Sequence, residues 1–593
     1  MRSYGWYLRK FVDDTQARGA TPVVASLIPR KAWIDTGPQA GTIRRNRADY
    51  AGWAQAVAQA DGVAFIDLTL PVTDGYHALA RPGRLSYHLV APERRPALHH
   101  HIASPYPITI DQVHKETYHM HSRTPRHTLM AIVMAAAFPL AASVSAQDAP
   151  PPQEKGPAPA DAMLHALDVT YPTPYRAMPA AEVKAVLDRV FVYLDRTTPA
   201  ELVNKRTGAA VTDLSKADPE SVLKPGDFRL TSYEWGVTYI GMLAAGQATG
   251  DTRYLDYVQK RHALLSQLTK TYLPGVQRDA ATAQAPIKSF LNPHALDDAG
   301  ALCHSFMKAK LGGSKVDYGQ MIGVCGDFVT KHEYRLKDGT LARGGPDGKG
   351  GRKMRPLPDT IWLDDMFMGV PTIAYLGKTT GDTRYYDDAV RQVTQFSSRM
   401  FNPALGLYMH GYVEGASQHP ELRWARANGW AVMAMVEVLE VLPANHPGRA
   451  AVLEQLRAHI HGLASYQTKD GFWHQLIDRN DTYQETSATA IYAYAIARAV
   501  NRGYVEPAVY GPMANLAWNA VASKVRASGE IEGICVGTGM AFDPAFYAYR
   551  PTSVKAAHGY GPALLAGAEI IELNKKFKFG LNDSGLMFQG GRD

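Results

Sequence analysis

A six-residue sequence that occurs twice restricts the fold of this 593-residue chain more than any other feature. Thr-Gly-Asp-Thr-Arg-Tyr occupies residues 249–254 and again residues 380–385. At both places an apolar segment with helical periodicity precedes the glycine, and an amphipathic segment follows it. Glycine ends a helix readily because it adopts the left-handed conformation, and Asp or Thr caps the next helix. The repeat therefore predicts a helical hairpin that is used twice.

Two more hairpins are predicted further along the chain, from residues 429–442 with 448–467 and from residues 486–500 with 509–526. Helices rich in Ala, Met and aromatic residues alternate with more polar ones, as expected of an inner and an outer layer. About six such pairs fit within residues 175–580, so the sequence predicts an all-α main domain, an (α/α)6 toroid or barrel. A less regular all-α solenoid would have the same local structure without closure of the ring.

The composition is that of an ordinary globular protein, with 46% hydrophobic and 20% charged residues. Lys and Arg are scattered and the net charge is only +7, which argues against a nucleic-acid partner. Cys303, Cys325 and Cys535 show neither a CxxC motif nor the spacing of a zinc site, and no metal is predicted. In an exported protein Cys303 and Cys325 are the nearest pair for a disulfide; buried free thiols are the alternative.

A secretory signal peptide is predicted inside the chain, at residues 120–146. A basic stretch precedes an apolar run, and small residues follow at Val144 and Ala146. The apolar run is too short to span a bilayer comfortably, so we expect no stable membrane insertion after cleavage. The expected start is therefore Met120, in a periplasmic or secreted protein. A membrane-anchoring helix between two domains is the alternative.

The residues before this signal have the pattern of a different fold class. Residues 7–30 predict a helix, a turn and a buried parallel strand, and residues 62–68 predict a second such strand. Residues 1–80 resemble the C-terminal half of the SGNH-family rhamnogalacturonan acetylesterases. Because the Gly-Asp-Ser block with the family's nucleophile is absent, this α/β fragment is expected to be inactive. Irregular and Pro-rich linkers are predicted at residues 81–119 and 147–174.

Four short motifs carry the chemistry of a sugar-acid site. They are Ile-Trp-Leu-Asp-Asp-Met-Phe-Met at 361–368, Trp-Ala-Arg-Ala-Asn-Gly-Trp at 424–430, Gly-Phe-Trp-His-Gln at 471–475 and Glu-Thr-Ser-Ala-Thr-Ala at 485–490. Aromatic rings stack on sugar rings, and Arg binds a carboxylate through two parallel hydrogen bonds. An Asp in an apolar, aromatic setting can have its pKa raised enough to donate a proton.

In their order, these motifs resemble glycoside hydrolase family 105, the unsaturated rhamnogalacturonyl hydrolases, which are related to the unsaturated glucuronyl hydrolases of family 88. The resemblance extends over most of residues 225–575. It implies an (α/α)6 barrel that needs neither metal nor cofactor and acts on an acidic oligosaccharide. The implied reaction removes a terminal 4,5-unsaturated uronic acid. An Asp protonates the C4=C5 double bond, water adds at C5, and the hemiketal collapses and releases the sugar.

The resemblance also implies two catalytic carboxylates. Asp364 matches the acid/base of the family; a helix N-cap is the structural alternative, and Asp365 is the neighbouring candidate, about 100° away on a helix. Asp297 matches the second family Asp and is favoured over Asp298, although two adjacent Asp also fit a capped helix start. Arg426 fits the site of the substrate carboxylate, with a structural ion pair as the alternative.

Further substrate contacts are implied in or near the same motifs, at Trp424, Trp430, His410, Trp473, His474, Glu485, Ser487, Tyr233 and Trp235. A place in the core is the alternative for Trp430, and Glu485 with Ser487 could equally form a helix cap. The chain departs from the family where a Trp-His pair often precedes the first motif. Since no His stands there, Arg343 is expected to supply a cation near the uronate.

The sequence therefore predicts a hydrolase that removes unsaturated uronic acids from lyase-generated oligosaccharides derived from pectin. Two alternatives are a related (α/α)6 hydrolase that acts on saturated glycans and a carbohydrate-binding toroid without catalysis.

Overall fold

The computed structural model describes residues 4–25, 50–66, 175–214, 218, 220–276, 285–344, 357, 359–582 and 585–592. The chain divides into two compact units, Met1–Pro152 and Gln153–Asp593. The predicted signal peptide and both predicted linkers lie outside the described residues. Among the helices that are described, none is long and apolar enough to cross a membrane.

The described residues of the first unit, 4–25 and 50–66, form two helices and two short strands: α1 (Tyr4–Ala17), β1 (Val23–Ala25), α2 (Tyr50–Ala60) and β2 (Ala64–Ile66). The strands pair in parallel, and a small apolar cluster packs the helices against them. The parallel pair agrees with the α/β pattern predicted for this part of the chain. Its likeness to an SGNH esterase stays a prediction.

The helices of the second unit are, in chain order, α3 Ala180–Thr197, α4 Tyr233–Thr249, α5 Thr252–Val276, α6 Lys288–Leu291, α7 Leu296–Leu311, α8 Gly319–Asp327, α9 Asp365–Thr380, α10 Arg384–Met400, α11 Ala425–Val441, α12 Arg449–Ala464, α13 Thr486–Asn501, α14 Pro507–Ser523, α15 Pro544–Ala548 and α16 Tyr560–Lys576. A π-helical turn (Phe328–His332) follows α8, and a 3-10 turn (Ala557–Gly559) precedes α16.

Six of these helices form a closed inner ring. Helices α4, α7, α9, α11, α13 and α16 each pack against the next, and α16 packs back against α4. Helices α5, α8, α10, α12 and α14 each lie outside the inner helix that precedes them, whereas α3 lies outside α16. The last inner helix, α16, is thus covered on its outer side by α3, the first helix of the domain. The ring is closed, which confirms the predicted toroid over the open solenoid.

The strands of the second unit are short antiparallel pairs: β3 (Leu202–Asn204) with β4 (Ser221–Leu223), β5 (Thr360–Trp362) with β8 (Gly411–Val413), β6 (Phe401–Asn402) with β7 (Leu407–Tyr408), and β9 (Phe577–Asn582) with β10 (Gly585–Gly591). The pair β5–β8 matters for the site, because Trp362 lies opposite Gly411 in its register. The end of one motif is thereby held beside His410.

The repeated hairpin adopts the same conformation at both places. Gly250 and Gly381 end their helices with left-handed φ angles of 72° and 77°. The carboxylates of Asp251 and Asp382 each accept the backbone N–H of the Arg two residues later, at 3.1 Å. Glycine supplies the turn and Asp caps the following helix, as predicted.

A buried carboxylate links the inner helices at the end of the ring where they terminate. Glu437 of α11 is fully buried and accepts hydrogen bonds from Lys308 of α7 at 2.7 Å and from Tyr375 of α9 at 3.2 Å. Tyr494 of α13 also donates to it. Burial opposes the charge of Glu437, but Lys308 and the neighbouring His304 hold its pKa well below the usual range. One carboxylate therefore joins four of the six inner helices.

A disulfide joins the inner helix α7 to the outer helix α8. Its cysteines are Cys303 and Cys325, whose Cα atoms lie 5.7 Å apart. Cys535 is free and buried. Of the two states that the sequence left open, the disulfide is the one formed.

Helices α7 and α9 approach each other closely at Gly300. A Cβ atom on Gly300 would lie 1.4 Å from the carbonyl oxygen of Met368, so only glycine fits. Thr372 donates a hydrogen bond of 2.7 Å to the carbonyl oxygen of Gly300. Because Asp297 and Asp364 lie at the starts of these two helices, this contact sets the distance between them.

Gly300→Ala is expected to lower the free energy of unfolding by about 3 kcal/mol, because the added methyl group must push two backbones apart. Urea unfolding monitored by circular dichroism measures the effect. Gly323→Ala in α8 is the matched control. A Cβ there has no neighbour within 4 Å, so the alanine should stabilise its helix by roughly 0.5–1 kcal/mol. Equal midpoints for Gly300→Ala and wild type would contradict the close approach.

Candidate active site

Asp364 lies at the entrance of α9 and is the first member of a chain of three polar side chains. Its Oδ2 is 2.9 Å from Nε2 of His410, and Nδ1 of His410 is 2.6 Å from the hydroxyl of Tyr547. The Tyr547 oxygen also accepts the backbone N–H of Ala541 at 3.0 Å. His410 and Tyr547 are buried, whereas the Asp364 side chain is 14% exposed. Asp364 is thus the end of the chain that a substrate can reach.

The pKa of Asp364 is lowered, in contrast to the raised pKa that the apolar setting of the sequence motif suggests. Burial alone would raise the pKa, but the charge and hydrogen bond of His410 outweigh that effect. Arg343 and Arg426 lower the pKa further. The sequence pattern did not show that three cationic or polar groups would converge on this carboxylate. Without a ligand, Asp364 is therefore a carboxylate at neutral pH.

The raised pKa belongs to the next residue, Asp365. Burial raises the pKa of Asp365 to about 6, and the nearby carboxylates of Asp297 and Asp364 contribute, while Arg343 opposes them. Asp365 is completely buried and faces Arg343 rather than the cleft. The two adjacent Asp residues of the motif thus have different surroundings, and their pKa values are shifted in opposite directions.

Arg343 is held between two carboxylates and an indole ring. Its Nε donates to Asp365 at 2.8 Å and its Nη2 at 2.5 Å. Weaker bonds of 3.2 and 3.3 Å run to Asp297. The guanidinium carbon lies 4.2 Å from the centre of the Trp362 ring, a cation–π contact. The predicted contact of Arg343 with a uronate stays a prediction, and Asp365 and Asp297 are its partners here.

The two adjacent Asp residues at the start of α7 have separate tasks. Asp297 is 37% exposed and reaches Arg343, so it belongs to the cluster around Asp364. Asp298 is buried and accepts the backbone N–H of His294 at 3.1 Å, as a residue at a helix start does. The geometry therefore brings Asp297, and not Asp298, to the site.

Arg426 is almost fully buried and binds protein rather than open space. Its two terminal nitrogens donate to the carbonyl oxygens of Cys535 and Val536, both at 2.7 Å. A longer bond of 3.3 Å reaches Ser487. Its guanidinium carbon lies 4.6 Å from the centre of the Trp424 ring. These contacts fit the structural alternative, and binding of a substrate carboxylate by Arg426 stays a prediction.

Glu485 and Ser487 form a helix cap, the structural alternative for this motif. The Glu485 carboxylate accepts the backbone N–H groups of Ser487 at 3.1 Å and Ala488 at 2.6 Å. It also accepts the N–H of Cys535 at 2.8 Å and the Ser487 hydroxyl at 2.8 Å. The two residues are fully buried and hold the start of α13 to the loop that Arg426 binds.

Three residues predicted to contact a sugar have their rings closed into the core, and for each of them the contact stays a prediction. Trp430 stacks on Phe367, Trp473 donates to the carbonyl oxygen of Leu463 at 2.8 Å, and Trp235 donates to the hydroxyl of Tyr257 at 3.2 Å. Each of the three is at most 1% exposed. Trp235 and Trp430 lie near the starts of inner helices and Trp473 lies in the segment before α13, and all three rings pack inside the toroid.

The remaining predicted contacts lie nearer the site. Trp424 is buried with its ring centre 4.8 Å from that of His410, so it supports the imidazole. The hydroxyl of Tyr233 lies 2.6 Å from Nε2 of His558. Burial raises the pKa of Tyr233; the charges of Asp297 and Asp364 raise it further, and the charge of Arg426 lowers it. His474 is partly buried, and its ring pairs with the backbone of the loop that follows it.

Several residues of the site were missed from the sequence. Tyr547 lies in the short helix α15 and His558 in the 3-10 turn before α16, where no motif marks them. Trp362 and Asp365 stand inside a recognised motif, but their contact with Arg343 depends on the tertiary fold. Among the residues that the structure describes, no group of three or more His, Cys, Asp or Glu side chains is arranged to hold a metal.

The chain is similar in sequence to known proteins. It is 32% identical to protein Atu3128 of Agrobacterium fabrum over 234 residues, which is 35% of this chain and 99% of that protein. It is 26% identical to the unsaturated rhamnogalacturonyl hydrolase YesR of Bacillus subtilis over 221 residues, 37% of this chain and 62% of that protein.

The fold also matches solved structures. A possible family 105 member from Klebsiella pneumoniae superposes with a TM-score of 0.52 at 21% identity, over 68% of this chain and 99% of that chain. This likeness shows the (α/α)6 fold. Residues 202–574 match the family described as Glycosyl Hydrolase Family 88, which is more than half of the chain. The chain therefore belongs to glycosyl hydrolase family 88.

Proposed function

We propose that the protein removes a terminal 4,5-unsaturated uronic acid from oligosaccharides that a lyase has produced from rhamnogalacturonan. The observation that carries this proposal is Asp364, a carboxylate that a substrate can reach, that is hydrogen-bonded to the His410–Tyr547 pair and that lies near Arg343 and Asp297. The similarity to an unsaturated rhamnogalacturonyl hydrolase supports the same substrate class.

The proposed reaction needs one group that first gives a proton and then receives one. Asp364 protonates C4 of the C4=C5 double bond, and a cation stabilised by the ring oxygen forms at C5. Water adds at C5 and returns a proton to Asp364. The hemiketal at C5 then opens, and the free hemiacetal at C1 releases the rest of the sugar chain. One carboxyl group serves both steps, so the separation rule for paired glycosidase carboxylates does not apply.

Binding of the substrate supplies the protonated form of Asp364. In the free protein, His410 and the two arginines keep the pKa of Asp364 low. A uronate bound beside it adds a negative charge and excludes water, and both effects raise the pKa of a carboxyl group. His410 remains as the donor that stabilises the carboxylate after the proton has left.

An exported protein fits this function, because polysaccharide fragments are met outside the cytoplasm. The support is the signal-peptide pattern at residues 120–146. N-terminal sequencing of the native protein tests it, with Gln147 as the expected first residue.

Asp364→Asn is expected to lower kcat on unsaturated rhamnogalacturonan disaccharides by about 10²–10⁴-fold, because an amide cannot give or take the proton. The loss of ultraviolet absorbance of the C4=C5 bond measures turnover. Asp382→Asn, at the exposed cap of the repeated hairpin, is the matched control and should keep full activity. Substantial turnover by Asp364→Asn would move the acid role to Asp297 or Asp365.

Tyr547→Phe is expected to lower kcat about tenfold and leave KM nearly unchanged, because His410 loses the hydroxyl that orients its ring. The Tyr547 hydroxyl donates to the carbonyl oxygen of Ala541 at 3.1 Å, so its oxygen can accept a hydrogen bond from Nδ1 of His410. The dependence of kcat on pH should shift in the variant. An unchanged pH profile would mean that Tyr547 has no part in proton transfer.

Glu333 is a second buried acid beside the cluster. Burial and the nearby charge of Asp365 raise the pKa of Glu333 to about 8, and Arg343 offsets them in part. Its Oε2 is buried without a hydrogen-bond partner among the described residues. A raised pKa in the folded state means that the fold binds the proton more tightly than the unfolded chain. The stabilisation is therefore present at low pH and is lost as the pH rises from about 4.5 to 8.

Glu333→Gln is expected to raise the free energy of unfolding at pH 9 by on the order of 1–3 kcal/mol, because the amide removes the cost of ionising a buried acid. At pH 5 the variant and the wild type should be nearly equal. Urea unfolding at both pH values measures the difference. A variant that is less stable at pH 9 would show that the ionised Glu333 is stabilising.

A further inference from the structure

A cavity of about 350 Å³ lies beside the active site. Its walls are formed by the segment before α4 (residues 226–234), the segment before α16 (residues 553–558) and residues 536–537. Cavities of this size hold small ligands or part of a larger one. The residues described so far for the reaction do not use this space.

Two walls of the cavity belong also to the active site. His558 lines the cavity and lies 2.6 Å from the hydroxyl of Tyr233, whose pKa is raised by burial first and then by nearby carboxylates that include Glu234, Asp297 and Asp364. Val536 lines it on another side, and its carbonyl oxygen accepts a hydrogen bond from Arg426. An oligosaccharide whose terminal sugar lies at Asp364 therefore has this cavity as neighbouring space.

The cavity offers one available cation. Lys555 is neutralised by Asp227, with Nζ 2.5 Å from the carboxylate, and also donates to Tyr193. Arg229 is exposed, and its guanidinium forms no ion pair with any residue that the structure describes. Glu234 also lines the cavity, and its carboxylate lies 3.4 Å from Nε2 of His558 rather than in an ion pair with Arg229. An unpaired guanidinium in a sugar-sized cavity suits a bidentate anion.

We propose that this cavity receives the sugars next to the cleaved bond and that Arg229 binds an anionic group on them, a carboxylate or a sulfate. The inference rests on the proposed function. In a chain that alternates rhamnose with galacturonic acid, the sugar after the unsaturated uronate is neutral and the one after that carries a carboxylate. Arg229 is then a specificity-determining residue that favours substrates longer than a disaccharide.

The experiment compares an unsaturated rhamnogalacturonan disaccharide with the corresponding tetrasaccharide. Arg229→Ala should raise KM for the tetrasaccharide about tenfold and leave KM for the disaccharide unchanged, because only the longer substrate carries the second carboxylate. Arg229→Lys keeps the positive charge but cannot form two parallel hydrogen bonds, so its KM for the tetrasaccharide should lie between those of the wild type and Arg229→Ala. Arg384→Ala, on the exposed turn of the repeated hairpin, is the matched control and should change neither value.

Two further substrates test whether Arg229 binds a carboxylate or a sulfate. A tetrasaccharide with its internal carboxylate methyl-esterified should behave alike with wild type and Arg229→Ala, and a disaccharide sulfated on rhamnose tests the sulfate source. Equal KM changes on disaccharide and tetrasaccharide, or no change on either substrate and on the sulfated sugar, would overturn the inference. Failure of the wild type to consume the plain disaccharide would instead count against the proposed function. Calorimetry of a saturated tetrasaccharide with Asp364→Asn, with and without Arg229→Ala, then still measures the contact.

Discussion

The structure depends on the closure of six helices into a ring, and buried charge holds that ring at one end. Glu437 has no contact with water and must have its charge matched by Lys308, His304 and two tyrosines. Such a carboxylate is costly to bury alone, and removal of one partner typically costs about 3–5 kcal/mol. The network therefore ties the positions of α7, α9, α11 and α13 to one another. Arg498 of α13 and Glu569 of α16 form an ion pair that extends the network to a fifth inner helix.

The direction of the inner helices explains where the chemistry lies. All six start at the same end of the ring, because each is joined to the next through an outer helix that runs back. Helix starts carry a partial positive charge and helix ends a partial negative one. The carboxylates Asp297, Asp364 and Asp365 stand at the starts, and the cations Lys308 and Arg498 stand near the ends. The polarity of the helices thus favours an acid site at one end and a cationic network at the other.

The local sequence predicted the helices well because the signals are local. Gly250 and Gly381 need a left-handed turn, and Asp251 and Asp382 cap the next helix within two residues. The motifs also marked Asp364, which stands at the start of an inner helix. They could not separate residues of one motif that face different ways. Trp430 and Trp473 are residues of the type that stacks on sugars, but both lie in the core. Large aromatic side chains are needed there to fill the interior of the toroid.

By itself, the sequence determined the all-helical class, the repeated hairpin, the order of the motifs and the choice of residue types for acid chemistry on sugars. These follow from periodicity and from contacts within a few residues. Only the tertiary structure decided that Asp364 is reachable while Asp365 is bound to Arg343, and that Arg426 holds a loop. It alone joined Tyr547 to His410, which stand 137 residues apart. Charge and burial depend on neighbours that are distant in the chain, so a residue's pKa and task cannot be obtained from its own motif.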